Sequence, residues 1–143
     1  MPNPSKPIAV LLMAMGGPDC LENVEPFLLD VRGGRPTPPE LVAEIQARYR
    51  ATGGKSPAVG ITFSVARKLE TRLNESGERR YRVYVGLRHW HPFIKDTLAQ
   101  LLRDRGDHTG ARQLLKPICD WFSEGAGMPD LVAARTLLGG LGR

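Results

Sequence analysis

Cysteines, long apolar runs and aromatic side chains are all scarce in this sequence of 143 residues. Its two cysteines, Cys20 and Cys119, make neither a disulfide framework nor the spacing of a metal-binding knuckle, which favours a reducing compartment. No stretch approaches the roughly 20 apolar residues of a membrane-spanning helix. Aromatic residues, 6% of the chain, are not interleaved with basic ones as in proteins that stack on bases. The sequence therefore predicts a cytoplasmic protein with no transmembrane segment and no nucleic-acid partner.

The net charge of +5 is modest and unevenly distributed. Residues 106–143 carry four basic and four acidic side chains, so the whole excess lies in residues 1–105. Basic residues in that part are interspersed with acidic ones along predicted helices, which is typical of a solvated surface. A small anionic ligand fits this distribution better than a nucleic acid does.

The hydrophobic pattern predicts two strands separated by helices. Residues 8–15 form a continuous apolar run, as in a strand buried on both faces of a parallel sheet, and residues 81–87 form the second strand. This order predicts an α/β fold with parallel strands. Four helices are expected, over residues 20–32, 61–75 and 92–106 and from Pro38 or Pro39 to residue 50.

Details of these helices follow from caps and apolar spacing. Asp19 is expected to cap the first helix, and Pro26 to bend or shorten it. The inner face of the second helix is predicted at Leu41, Ile45 and Tyr49, and that of the third at Ile61, Val65, Leu69 and Leu73.

Ligands of parallel sheets collect at the carboxyl ends of the strands, which are here "MAMGGPD" and "GLRHWHPF". On an extended chain His89 and His91 would point the same way and could share one cation or one acidic ligand. Taken alone, the pair favours a strand end that caps the helix beginning at Pro92 or faces solvent. Met13 and Met15, on a buried strand, would ordinarily belong to the core.

Several unusual elements occur together in this chain: "GGP" at 16–18, "RGGR" at 32–35, "RY" followed by "GGKSP" at 48–57, and "GLRHWHPFI" at 86–94. In this order and spacing, residues 8 to about 105 resemble the amino-terminal half of the ferrochelatases, closest to the bacterial branch that uses coproporphyrin III. The resemblance implies a Rossmann-like, chelatase-like parallel sheet with flanking helices, one half of a two-domain fold. It also implies ferrous iron and a porphyrin as substrates, with no cofactor required.

The resemblance further implies which residues meet the tetrapyrrole. Met15, Arg32, Arg48, Tyr49 and Ser56 match positions that the family uses at its porphyrin cleft, and Trp90 would add apolar surface. Met15 stands where this branch often has a tyrosine, and its thioether is a weak metal ligand. His89 matches a cleft histidine and is the candidate for metal binding or catalysis, whereas His91 falls on a variable position. The histidine and the acidic residue that the family's second half supplies for catalysis are not found.

After residue 105 the resemblance is lost. Residues 1–105 are interpreted as the amino-terminal α/β domain, and residues 106–143 as an atypical tail, either disordered or with short helices at 112–122 and 129–138. A frameshift is one explanation, which the nucleotide sequence tests. The chain is expected to be a truncated, weakly active or inactive ferrochelatase that self-associates through an exposed sheet edge. The alternatives are a non-catalytic tetrapyrrole- or metal-binding module and a generic Rossmann-like domain for another anion.

Overall fold

A computed structural model describes residues 6–77, 80–121 and 139. Two parallel strands are flanked by helices, which confirms the α/β class and the parallel sheet. The strands bracket three of the helices, as a crossover connection between parallel strands requires. The elements are β1 Ile8–Ala14, a 3₁₀ turn Leu21–Asn23, α1 Val24–Val31, α2 Pro39–Ala51, α3 Pro57–Asn74, β2 Tyr81–Leu87, α4 Ile94–Asp104 and α5 His108–Trp121.

The core lies on one face of the sheet. The register pairs Ile8 with Tyr81 and Ala14 with Leu87, so alternate residues of both strands point to the same side. That side packs against α1 and α3, and Leu87 is fully buried within it. The buried cluster consists of Phe27, Ala66, Val85, Leu87 and Trp90, with Leu12, Ala14, Leu28, Val31, Val59 and Val83 packed against it.

Helix α4 covers the opposite face of β2. A Cβ on Gly86 would stand only 3.0 Å from the Cα of Ile94, so the glycine allows the helix to approach the strand closely. The Thr97 hydroxyl donates a hydrogen bond of 2.7 Å to the Val85 carbonyl. The link fixes α4 against the strand whose carboxyl end carries His89.

The predicted first helix is wrong in its start and in its cap. The segment divides into the 3₁₀ turn and α1, and the residue preceding the turn is Cys20, which makes no side-chain cap. Asp19 instead accepts a hydrogen bond of 2.7 Å from the Asn23 side chain. Pro26 lies in the first turn of α1, where a missing N–H costs no intrahelical hydrogen bond.

The inner faces of α2 and α3 also differ from the prediction. Val42, rather than Leu41, is the buried residue of α2. Helix α3 begins at Pro57, four residues before the predicted start, and its buried residue is Ala66. Ile61 is 60% exposed and Val65 is exposed too, so the apolar stripe read as an inner face is largely open to solvent.

Helix α5 extends the described structure beyond residue 105. It packs against α4 and overlaps the helix expected at 112–122, beginning four residues earlier. The helix expected at 129–138 lies outside the described residues, and the domain boundary at residue 105 stays a prediction. Within residues 6–77 and 80–121, no helix is long and apolar enough to cross a bilayer.

Candidate functional site

The two strand ends that carry the sequence motifs lie side by side. Beyond the strands two backbone hydrogen bonds still join the two chain segments, from Arg88 N to Ala14 O at 2.9 Å and from His89 N to Met15 O at 3.0 Å. Met15 is 56% exposed, and the His89 side chain is 18% exposed. The structure thus brings together the methionine and the histidine that the sequence singled out, at an edge open to a ligand.

The "GGP" turn and the "GGKSP" loop interlock beside these strand ends. Ser56 N donates a hydrogen bond of 2.8 Å to the Pro18 carbonyl. A Cβ on Gly17 would stand 2.3 Å from the Ser56 hydroxyl oxygen and 2.5 Å from its Cβ, so only glycine leaves room for this contact. The Ser56 hydroxyl also accepts from Ala58 N at 3.3 Å and caps α3. Ser56 is therefore buried and occupied by structural contacts, and its role as a porphyrin contact stays a prediction.

Gly16 holds the turn against the core. Its φ of +90° is in the left-handed region, and an added Cβ would stand 3.1 Å from the Cβ of Trp90. Trp90 is buried and meets the ring of Phe27 edge-on at a centroid distance of 6.3 Å. Trp90 therefore belongs to the core that supports the site, rather than to the open apolar wall expected from the sequence.

His89 has a partner that the sequence analysis did not identify. Its Nδ1 lies 2.7 Å from Oδ2 of Asp30, which is near the end of α1. The contact joins residues 59 positions apart. A helical aspartate gives no local signal for such a partner, and the close approach of α1 to the end of β2 is visible only in the fold.

His91 has other neighbours. Its exposed ring lies between the rings of Trp90 and Phe93, at centroid distances of 5.4 and 4.7 Å. The chain bends after Leu87, so the extended geometry on which a shared cation depended ends before either histidine. In the part of the chain that the structure describes, no group of three His, Cys, Asp or Glu side chains is arranged to hold a metal ion.

The other predicted porphyrin contacts are on helices α1 and α2. Arg32 is half-buried at the end of α1, and its carbonyl accepts a hydrogen bond of 3.1 Å from Nε of Arg35. Arg48 is exposed and pairs with Glu44 at 2.5 Å on its own helix. Tyr49 is half-buried, and its carbonyl accepts from Gly54 N at 2.8 Å. Their part in ligand binding stays a prediction.

Negative charge lies on the loop between β1 and α1. The hydrogen bond from Asn23 holds the pKa of Asp19 below its ordinary value, although partial burial of the carboxyl opposes this shift. The charge of His91 contributes in the same direction as the hydrogen bond. The carboxylate form of Asp19 is thus favoured at neutral pH beside the strand ends.

A concavity at the opposite, amino ends of the strands does not have the character of a ligand site. It has a volume of about 90 Å³ and is lined in part by Lys6, Arg82, Tyr84, Asp104 and Arg105. These groups bind one another: Lys6 donates to the Arg105 carbonyl, Tyr84 donates to Asp104 at 3.2 Å, and Arg82 lies 3.6 Å from Asp104. Burial, followed by the charge of Asp104, raises the pKa of Tyr84.

Fold and site together define an α/β protein whose candidate ligand site lies at the carboxyl ends of parallel strands, between a glycine turn and a histidine. A family model described as "Ferrochelatase" matches residues 7–111. The chain belongs to the ferrochelatase family, as its motifs indicated.

Relatives with curated names agree with this assignment. The chain is 44% identical over 96 residues to a "Ferrochelatase" of Herpetosiphon aurantiacus, covering 67% of this chain and 32% of that protein. It is 44% identical over 119 residues to a "Coproporphyrin III ferrochelatase" of Bacillus mycoides, covering 82% of this chain and 38% of the relative. The same printed name belongs to a protein of Oceanobacillus iheyensis that is 39% identical over 100 residues. The chain thus matches about a third of the length of these curated relatives.

Proposed function

We propose that this chain takes part in the insertion of ferrous iron into a porphyrin, either coproporphyrin III or protoporphyrin IX, in haem biosynthesis. The observation that carries the proposal is the main-chain hydrogen bond between His89 and Met15, which brings the two residues together at the open edge of the strand ends. Family membership and the names of the relatives support it. In class, the activity is that of a lyase that acts on a tetrapyrrole.

The proposed ligand is a flat apolar ring with carboxylate tails, and the chain offers groups for both parts. Met13 and Met15 are 63% and 56% exposed and supply polarisable apolar surface for the ring. Arg32 and Arg48 supply guanidinium groups for the carboxylates, and Tyr49 and Ser56 supply further polar groups. The Met15 thioether would be at most a weak axial ligand of the metal.

Iron enters this proposal as a substrate, and no resident cofactor is required. We place the protein in the cytoplasm, which suits the free thiol of Cys20. Because the chain matches only 32–38% of its relatives' length, we expect the 143-residue polypeptide by itself to have weak turnover or none. A non-catalytic tetrapyrrole-binding module is the second candidate, favoured by the exposed methionines Met13 and Met15.

Anaerobic incubation with coproporphyrin III and Fe²⁺ tests the proposal. We expect the protein to quench porphyrin fluorescence, with haem absorbance growing slowly or not at all. Met15→Asp should weaken quenching, because a carboxylate at the ring edge repels the porphyrin carboxylates and disrupts the apolar contact. Ile8→Asp, an exposed apolar position at the other end of β1, is the matched control and should leave quenching unchanged.

The outcomes of this assay separate the two candidates. Growth of haem absorbance supports an active chelatase, whereas quenching without product supports the binding module. Absence of quenching by the wild-type chain contradicts both.

We also propose that two copies of the chain associate through the exposed edge of the sheet. Within the described residues the outer edge of β2 is occupied by side chains of Asn74, Glu70 and Thr97, so the open edge of the sheet is that of β1. Unpaired strand edges offer free N–H and C=O groups to a second chain. Sedimentation at increasing protein concentration should show a shift towards a dimer, and a concentration-independent monomer would contradict the proposal.

A further inference from the structure

The contact between Asp30 and His89 is short, although Asp30 occupies a helix position that is unfavourable for a carboxylate. Asp30 lies in the last turn of α1, where the negative end of the helix dipole disfavours a carboxylate. Its side chain is 44% exposed, so water could solvate it without any protein partner. The carboxylate is nevertheless 2.7 Å from Nδ1 of His89, whose ring is mostly buried.

The geometry determines which ring nitrogen carries the hydrogen. A carboxylate oxygen only accepts hydrogen bonds, so Nδ1 must donate and carry the proton. In the neutral ring Nε2 then has a free lone pair. The main chain holds the other end of the residue, because His89 N donates to the Met15 carbonyl at 3.0 Å. His89 is therefore fixed both at its main chain, by Met15, and at its ring, by Asp30.

Histidines that bind metals commonly donate their second ring nitrogen to a carboxylate, which fixes the tautomer and increases the basicity of the ligating nitrogen. We propose that Asp30 is a positioning residue, which holds His89 in its Nδ1–H form so that Nε2 offers its lone pair to a borderline divalent cation at the strand ends. The inference rests on the proposed function, since it names how the same site would receive the metal substrate.

Side-chain ¹⁵N NMR of histidine tests the tautomer, and titration with Zn²⁺ tests the lone pair. Zn²⁺ serves as the probe because it binds imidazole nitrogen and is not oxidised. In the wild-type chain we expect the Nδ1–H form of His89 and a shift of its Nε2 resonance as Zn²⁺ is added. In Asp30→Ala we expect mixed tautomers and a Zn²⁺ affinity about 10- to 100-fold lower.

Two further variants separate positioning from a general effect of charge. Asp30→Asn keeps an oxygen that accepts from Nδ1, so it should retain the tautomer and lose less affinity than Asp30→Ala. Glu25→Ala removes an equal charge from the first turn of the same helix and should change neither readout. In the His89→Ala background, Asp30→Ala should have no further effect on Zn²⁺ binding.

The Nε2–H form in the wild-type chain, an unshifted His89 resonance in Zn²⁺, or wild-type affinity in Asp30→Ala would each overturn the positioning role. Porphyrin quenching is measured on the same samples and reports on the proposed function separately. Quenching with no effect of Asp30 removes the positioning role alone. A loss of quenching with the Asp30 effects intact removes the proposed function and keeps the His89 cation site.

Discussion

Gly17→Ala is expected to destabilise the fold by about 1–3 kcal/mol, the usual cost of overpacking, or by more. The added methyl group would stand 2.3 Å from the Ser56 hydroxyl and 2.5 Å from its Cβ. Rotation of the serine side chain can move the hydroxyl but not the Cβ, so relief requires a backbone shift. That shift would strain the hydrogen bond from Ser56 N to Pro18 O. Urea denaturation measures the change in the free energy of unfolding.

Gly60→Ala is the matched control for this prediction. Gly60 lies within α3, and apart from the backbone of its own helix and its chain neighbours an added Cβ would meet no atom within 4 Å. The exchange should therefore stabilise the protein by about 0.5–1 kcal/mol through the helix propensity of alanine. Ser56→Gly in the Gly17→Ala background removes the blocking Cβ and should recover part of the loss. Equal stability of Gly17→Ala and wild type would contradict the interlocked loops.

Leu87→Ala should cost about 2–5 kcal/mol, as large-to-small exchanges in a core do. Leu87 has no exposed surface and lies in the cluster with Phe27, Val85 and Trp90. It is also the last residue of β2, two positions before His89. The cavity would thus loosen the layer that supports the candidate site, and weaker porphyrin quenching should accompany the lower stability.

Leu29→Ala provides the comparison at an exposed position. Leu29 is 40% exposed on α1, so its truncation should change the free energy of unfolding by much less than that of Leu87. Thermal or chemical denaturation of the two variants under one set of conditions measures the difference. Similar losses at both positions would show that the core is not where the structure places it.

The sheet and the proximity of the two strand ends could be predicted from the sequence. A continuous apolar run at Ile8–Ala14 and a second strand at Tyr81–Leu87, with helices between them, leave few alternatives to a parallel pair. Parallel strands end at the same edge, so Met15 and His89 had to lie close to each other. The hydrogen bond between their main chains confirms this expectation.

The burial of the helix faces could not be predicted in the same way. Apolar spacing identifies one face of a helix but does not say what covers it. On α3 the spacing of Ile61 and Val65 suggested a core, yet both are exposed and the small Ala66 faces the sheet. Met13 is similar, since a strand position read as ordinary core is 63% exposed. Of these three exposed residues, Met13 belongs to the surface proposed for the porphyrin ring.

Polar contacts between residues far apart in the sequence could not be predicted from local patterns. Asp30 gives no sign in the sequence that it binds a histidine 59 positions away. Ser56 was selected by family resemblance as a ligand contact, and its cap on α3 and its fit against Gly17 appear only in the fold. The Asp19 cap was wrong because the side chain of Asn23, one turn on, binds the carboxylate instead.

The methionine methyl signals in a ¹³C NMR spectrum, recorded with and without coproporphyrin III, test the central claim most directly. A porphyrin seated at the strand ends would place its ring current over the exposed Met15 methyl group, and Met15→Leu assigns that signal. The account predicts a large upfield shift of the Met15 methyl that saturates together with the quenching of porphyrin fluorescence. A Met15 signal that stays in place while the porphyrin is fully bound would contradict it.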